Sequence, residues 1–248
     1  MAQYDPLAYG YRAVAEAIPY RGPEWYSLHV RLGDLTGCSV LDLGCGDGMS
    51  SRRLKSWGAA QVTGVDVSEE MIKLAQLTES HNPMGIEYNH ADVTTMQPIG
   101  TFDVVTASYL LHYASSLTEL QQMAQSAYDN LKPGKQFITS NLNPLAPPLP
   151  ELDLPEHKLH YRLTSNLLAD GLPMDGTLLH DGQQITFKAW WYSWQTYQTV
   201  FRDAGFTNCA IVPYLIPEEE INKYPPGFWA PYYAAPWVIQ FICHKPLV

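Results

Sequence analysis

The stretch Ser39-Val40-Leu41-Asp42-Leu43-Gly44-Cys45-Gly46-Asp47-Gly48 decides the reading of this chain. A short apolar run breaks into three glycines at alternate positions, and a helical stretch from Met49 to Trp57 follows. Glycines between a strand and a helix let a ligand approach the backbone, and the helix N-terminus offers unpaired N–H donors. Asp66 stands 22 residues beyond Gly44 at the end of the next β-branched run, QVTGVDV, where a carboxylate can accept hydrogen bonds from a ribose diol.

Working outward, strands and helices alternate. Ser68-Glu69-Glu70-Met71 opens a second helix with a good N-cap residue and acids in its first turn. Gly85–His90, TFDVVTAS (101–108) and KQFITSNL (135–142) read as further strands, with a helix over Leu117–Leu131 between the last two. This alternation predicts an α/β, doubly wound and mostly parallel sheet with right-handed crossovers.

Beyond residue 143 prolines crowd NPLAPPLPELDLP, and strand-like segments HKLHYRLTS and TLLHDGQQITFKAWWYSW follow, the second turning at Asp181-Gly182. A helix ending at Gly205 and two last strands, NCAIVPYLI and VIQFICH, complete the chain. We read 1–248 as one domain: a helical cap over 1–36, a cofactor-binding core over 37–142, and lid insertions on the substrate side over 143–195 and 217–237.

Composition narrows the function. The 248 residues are 46% hydrophobic and 16% charged, as expected of a globular protein with a sizeable core. A net charge of -10, with 15 basic residues in no stripe, argues against nucleic-acid and membrane-surface partners. Four cysteines without a Cys-x-x-Cys pair predict neither a disulfide framework nor a metal site. The start of the chain has no signal pattern, and a reduced, cytoplasmic protein is the expectation.

The spacing Gly-x-Gly-x-Gly departs from the dinucleotide fingerprint Gly-x-Gly-x-x-Gly. Asp42, two residues before the first glycine, would repel a pyrophosphate but attract the ammonium and sulfonium of S-adenosylmethionine. A nicotinamide oxidoreductase is therefore the weaker reading, and a non-catalytic cofactor-binding or activating subunit is the other alternative. Asp92 can accept a hydrogen bond from an adenine amino group, and Ser108-Tyr109 follow a strand end facing the ligand crevice.

At VLDLGCGDG, GVDVSEEMI, HADV, FDVVTASYLLHY and LKPGKQFI, over residues 38 to 141, the sequence resembles the class I S-adenosylmethionine-dependent methyltransferases. More loosely, the whole chain is similar to a subgroup labelled toxoflavin-synthase-like. The resemblance implies a seven-stranded sheet with an antiparallel last strand. Together with the residue reading it gives an expected cofactor set of Tyr11, Asp42, Gly44, Cys45, Gly46, Asp66, Val67, Met71, Asp92, Val93, Ser108 and Tyr109. The opening YDPLAYGY looks like a segment that closes over the methionine end, which brings in Tyr4 and Tyr9 beside Tyr11. His112 is the candidate general base, since histidine titrates near neutrality. Tyr113, Trp191, Trp229 and Tyr232 are candidates for binding a small, aromatic or heterocyclic acceptor, methylated on nitrogen or oxygen without a metal.

Overall fold

In a computed structural model the described residues are 2–5, 8–145, 151–164 and 169–247, with the side chains of 8, 9 and 183 excepted. Residues 146–150, within the proline-rich connection, lie outside them.

Five strands follow the order read from sequence: β1 (Ser39–Leu43), β2 (Gln61–Asp66), β3 (Ile86–His90), β4 (Phe102–Ser108) and β5 (Leu131–Leu142). They are joined in parallel, with Val40 of β1 opposite both Val62 of β2 and Val104 of β4. β1, β2 and β4 are buried along nearly their whole length, as strands covered on both faces by helices must be. Helices α1 (Ala8–Glu16) and α2 (Arg21–Leu32) precede the sheet. Helices α3 (Met49–Ser56), α4 (Glu69–His81) and α5 (Leu117–Asp129) supply crossovers. Ser68 and Ser116 cap α4 and α5 with their hydroxyls, accepting from the backbone N–H of Met71 and Glu119.

An antiparallel four-stranded sheet is inserted after β5: β6 (Glu151–Leu154), β7 (Leu159–Leu163), β8 (Leu172–His180) and β9 (Gln183–Trp191). The β8–β9 turn sits at Asp181 and Gly182, both with positive φ (47° and 76°), which fits a tight hairpin. Helix α6 (Trp194–Ala204) and strand β10 (Thr207–Pro213) lead to the short helices α7 (Glu218–Ile221) and α8 (Ala230–Ala234). Strand β11 (Val238–His244) then inserts antiparallel between β5 and β10. The large sheet thus has seven strands in the order β3-β2-β1-β4-β5-β11-β10, with the antiparallel last strand the resemblance implied.

Two expectations need correction. The helix of the fourth crossover ends at Asp129, not Leu131, because Leu131 already pairs with Phe102 as the start of β5. The cysteines are not all free thiols. Cys209 and Cys243 face each other from β10 and β11 with Cα atoms 4.1 Å apart and form a disulfide, while Cys38 and Cys45 are free. Strand pairing brings together residues 34 apart in sequence, which motif spacing does not reveal. No helix among the described residues is long and apolar enough to cross a membrane.

Candidate functional site

The C-terminal ends of β1, β2 and β4 open into a cavity of about 600 Å³, within the range of small-molecule sites. Its floor is the glycine loop. Gly44 and Cys45 donate their N–H groups to the Val65 carbonyl at 2.8 and 2.9 Å, which folds the loop back on β2. Gly48 has φ 84°, and a Cβ there would land on the Tyr88 hydroxyl, so this position needs glycine on two counts.

Asp66 ties the loop to the next helix. One carboxylate oxygen accepts the Gly46 N–H and the other the Ser68 N–H, both at 2.8 Å. Each oxygen keeps a lone pair for a further donor, which fits a ribose diol. Burial pushes the Asp66 carboxyl above the usual range. Asp92 accepts the Thr94 N–H and hydroxyl on a single oxygen, at 2.8 and 2.7 Å.

Of the cofactor set expected from sequence, Tyr11, Gly44, Gly46, Asp66, Val67, Met71, Asp92, Val93, Ser108 and Tyr109 line the cavity together. Asp42 and Cys45 do not line it. Asp42 lies beneath the loop, 1% exposed, accepting the Ser51 hydroxyl at 2.6 Å and the Thr106 hydroxyl at 3.2 Å. Burial pushes its carboxyl up to about 6, against the opposing pull of those two hydroxyls. Its influence on a ligand is therefore that of a nearby charge, not of a contact. The Cys45 side chain packs into the core behind the loop, against Gly64.

The N-terminal segment closes the cavity from above. Ser68 donates its hydroxyl to Asp5 at 2.6 Å, and Arg12 donates to the Asp47 carboxylate at 2.6 Å and to its carbonyl at 3.1 Å. The Gln3 side chain accepts the Lys188 N–H of β9 at 2.8 Å, and the hydroxyls of Tyr4 and Tyr113 hydrogen-bond each other. The side chain of Tyr9 lies outside the described residues. Tyr4 is the sequence-expected closing residue that reaches the wall alongside Tyr11.

Tyr109, just past β4, carries a positive φ of 60°, a costly conformation for a bulky side chain. Its surroundings hold it there: its N–H donates to the Ser140 carbonyl at 2.8 Å, and its hydroxyl meets that of Tyr214 at 2.9 Å. Arg21, paired with Glu24 at 2.6 Å, lies 5.5 Å from its ring centre. Residues 109–113 thus turn back under the cavity roof.

His112 is buried behind that turn and is not part of the cavity wall. Asn141 donates its amide N–H to the Leu142 carbonyl at 3.2 Å and bonds Tyr197 at 3.0 Å. Its amide oxygen must therefore accept, and Nδ1 of His112, 3.1 Å away, donates to it. Burial holds the imidazole down at about 4, so it is neutral at physiological pH.

Of the acceptor candidates, Tyr113 lines the cavity. Trp191 packs against the aromatic cluster beneath the inserted sheet. Trp229 and Tyr232 lie in that cluster, 4% and 1% exposed, away from the cavity. The Tyr232 hydroxyl accepts the Tyr214 N–H at 2.7 Å and donates to the Val238 carbonyl at 2.9 Å, a packing role complete in itself. Sequence reasoning missed Gln3, Ser68, Ser115, Glu119 and Met123 on the wall. Only Ser68, as a helix cap beside Asp66, carried a local signal.

Comparison with known proteins agrees with this fold. Residues 40–134 match the methyltransferase domain family. A ubiquinone biosynthesis O-methyltransferase of Xanthomonas euvesicatoria pv. vesicatoria (strain 85-10) is 34% identical over 113 residues, covering 44% of this chain and 45% of that protein. The chain thus spans about half the length of the curated relatives it matches. Among solved structures, an S-adenosylmethionine-dependent methyltransferase from Mesorhizobium loti superposes with a TM-score of 0.63 at 20% identity, over 91% of this chain and 99% of that one. The CcbJ methyltransferase from Streptomyces caelestis does so with a TM-score of 0.65 at 16% identity, over 98% and 96%. These likenesses confirm the fold. The fold is that of S-adenosylmethionine-dependent methyltransferases, and the family match covers residues 40–134.

Proposed function

We propose that this protein transfers a methyl group from S-adenosylmethionine to a small organic acceptor. The observation that carries the reading is the placement of Gly44, Gly46, Asp66, Asp92 and Tyr109 around one cavity, the two carboxylates holding free lone pairs toward it.

The residues suit the donor at each end. Asp66 would accept from the ribose hydroxyls and Asp92 from the adenine amino group. The charge of Asp42 beneath the loop favours an ammonium above it. Tyr4, Tyr11, Tyr109 and Tyr113 also line the wall, and their aromatic faces favour a sulfonium. When bound, the donor supplies an electrophilic methyl on that sulfonium. What the chain adds is alignment and exclusion of water, which account for much of the acceleration of an in-line displacement. The contacts of Asp5, Arg12, Gln3 and Tyr4 hold the N-terminal segment over the site, so donor and acceptor meet in an enclosed space.

Titration calorimetry with S-adenosylmethionine and NADH, followed by incubation with labelled donor and a metabolite extract, tests this. Binding of the sulfonium donor and appearance of a labelled small product are expected. Strong NADH binding would favour the oxidoreductase reading. Tight donor binding with no labelled product would favour a non-catalytic subunit.

A further inference from the structure

Arg21 and Glu24 form an ion pair in the first turn of α2, 2.6 Å apart and both buried. Nε of Arg21 donates to the Ala15 carbonyl at 3.3 Å. The guanidinium lies 5.5 Å from the ring centre of Tyr109 and 5.9 Å from that of Trp25, so it props the strained Tyr109 from one side. Neither member of the pair lines the cavity, whereas Tyr109 and Tyr11 do.

The charges of the pair act on that wall. Burial raises the phenol of Tyr109; the Glu24 charge pushes the same way and Arg21 opposes it. Tyr11 is raised by burial as well, with Arg21 and Glu24 again acting in opposite senses. Burial also lifts the Asp42 carboxyl beneath the glycine loop, and the charges of Asp66 and Glu24 add to the rise.

Stability alone does not call for this pair. Taking two charges out of water costs about as much as a buried ion pair returns, and apolar residues of similar volume serve the fold as well or better. Glu24 Oε1 adds to the cost, being buried with no hydrogen-bond partner among the described residues. The place where the field of the pair falls points to its use.

S-adenosylmethionine carries a positive charge on sulfur. When the methyl leaves for the acceptor, the C–S electron pair stays on sulfur, and the spent donor, S-adenosylhomocysteine, is a neutral thioether there. An uncompensated guanidinium behind Tyr109 would repel the first and leave the second untouched. Arginine does not shed its proton, so only an adjacent carboxylate can cancel it. Glu220, beside Gly22, is committed to Lys223 at 2.7 Å, and Asp47 to Arg12 at 2.6 Å. We propose that Glu24 is a specificity-determining residue of the donor site, which by neutralising Arg21 behind Tyr109 keeps the cavity open to the sulfonium donor and prevents the neutral thioether from displacing it. The inference rests on the methyl-transfer reading above.

The test is calorimetry on the full chain with S-adenosylmethionine and S-adenosylhomocysteine, read as the ratio of their two Kd values. Both ligands share the adenosine and amino-acid ends, so a loss of packing moves both affinities together and leaves the ratio alone. Two unit charges about 10 Å apart at an effective dielectric of about 20 change a binding constant on the order of tenfold. Glu24→Gln should therefore shift the ratio about tenfold against the sulfonium. Arg21→Gln, measured at pH 9 to keep the stranded carboxyl ionised, should shift it toward the sulfonium. The double variant, Arg21→Gln with Glu24→Gln, should return it to within about twofold of the parent. Should the stranded guanidinium keep Glu24→Gln from folding, Arg21→Gln decides, because a stranded carboxyl can take up a proton while the chain folds. A ratio within about twofold of the parent in either single variant that folds, a shift of the opposite sign, or a double variant that moves as far as Glu24→Gln would overturn the proposal. Failure of the unmodified protein to bind either ligand would overturn the methyl-transfer reading with it. Binding of both ligands with an unmoved ratio in the variants would overturn the role of Glu24 alone.

Discussion

The two walls of the cavity are built by different rules. On the proposed donor side, the ends of β1, β2 and β4 present backbone N–H groups, glycines and carboxylates, each a few residues from a strand end. On the proposed acceptor side, Tyr4, Tyr11 and Tyr113 arrive from the N-terminal segment and the turn after β4, backed by Phe187 and Tyr161 of the inserted sheet. Local covalent geometry fixes the first wall. Only tertiary packing fixes the second. Changes on the donor side should therefore strike affinity or the backbone sharply, and changes on the acceptor side should separate packing from recognition.

The largest effect is expected at Gly48. Gly48→Ala combines a strained φ with a collision against Tyr88, and should cost roughly 2–3 kcal/mol of stability. Urea unfolding measures it, and a loss below about 0.5 kcal/mol, the scale of an ordinary surface change, would show that the loop relaxes freely.

Asp66→Ala comes next, because it removes ribose partners while leaving the strands intact. A loss of about 1–3 kcal/mol in donor affinity is expected by calorimetry. Unchanged affinity would take Asp66 out of the site. On the acceptor side, Tyr232→Phe strips a hydroxyl that accepts from Tyr214 and donates to Val238. About 1–2 kcal/mol of stability should go, with the acceptor KM unmoved. A shift in KM would put Tyr232 back among the acceptor-binding residues.

Asp42 gives a smaller, pH-dependent effect. Its carboxyl is pushed up to about 6 in the folded chain. The stability this raised value contributes is full below the ordinary carboxylate pKa and is lost as pH rises through about 6. A bound ammonium favours the ionised form, so donor affinity should strengthen as pH rises through that same window. Calorimetry across pH should show the slope in the unmodified protein and its loss in Asp42→Asn, which keeps a polar partner for Ser51. A flat profile in the parent would deny Asp42 an electrostatic role. The smallest effect is expected for Arg12→Ala, whose half-exposed guanidinium holds the lid to Asp47. Faster donor release with a loss of no more than about 1 kcal/mol should appear in stopped-flow measurements.

The same contrast explains what the sequence made legible. The five-strand core, the glycine loop and Asp66 could be read because strand end, glycine and acid lie at fixed short spacings. The Asp181-Gly182 hairpin was equally local. Asp42 was read as a ligand group, yet Ser51 and Thr106 occupy it, since sequence shows that an acid precedes the glycines but not which hydroxyls close over it. His112 was read as facing the crevice, whereas the turn forced by the positive φ of Tyr109 puts it behind Tyr113. The clustering of Trp229 and Tyr232 in sequence suggested a pocket, but an aromatic cluster reads the same whether it lines a cavity or fills a core. The Cys209–Cys243 pairing depends on long-range register that no spacing encodes.

A crystal structure with S-adenosylmethionine bound tests the central claim most directly. The account predicts the ribose hydroxyls on Asp66, the adenine beside Asp92, and the methyl turned toward Tyr4 and Tyr113. Adenosine bound outside the space between Asp66 and Asp92 would contradict it.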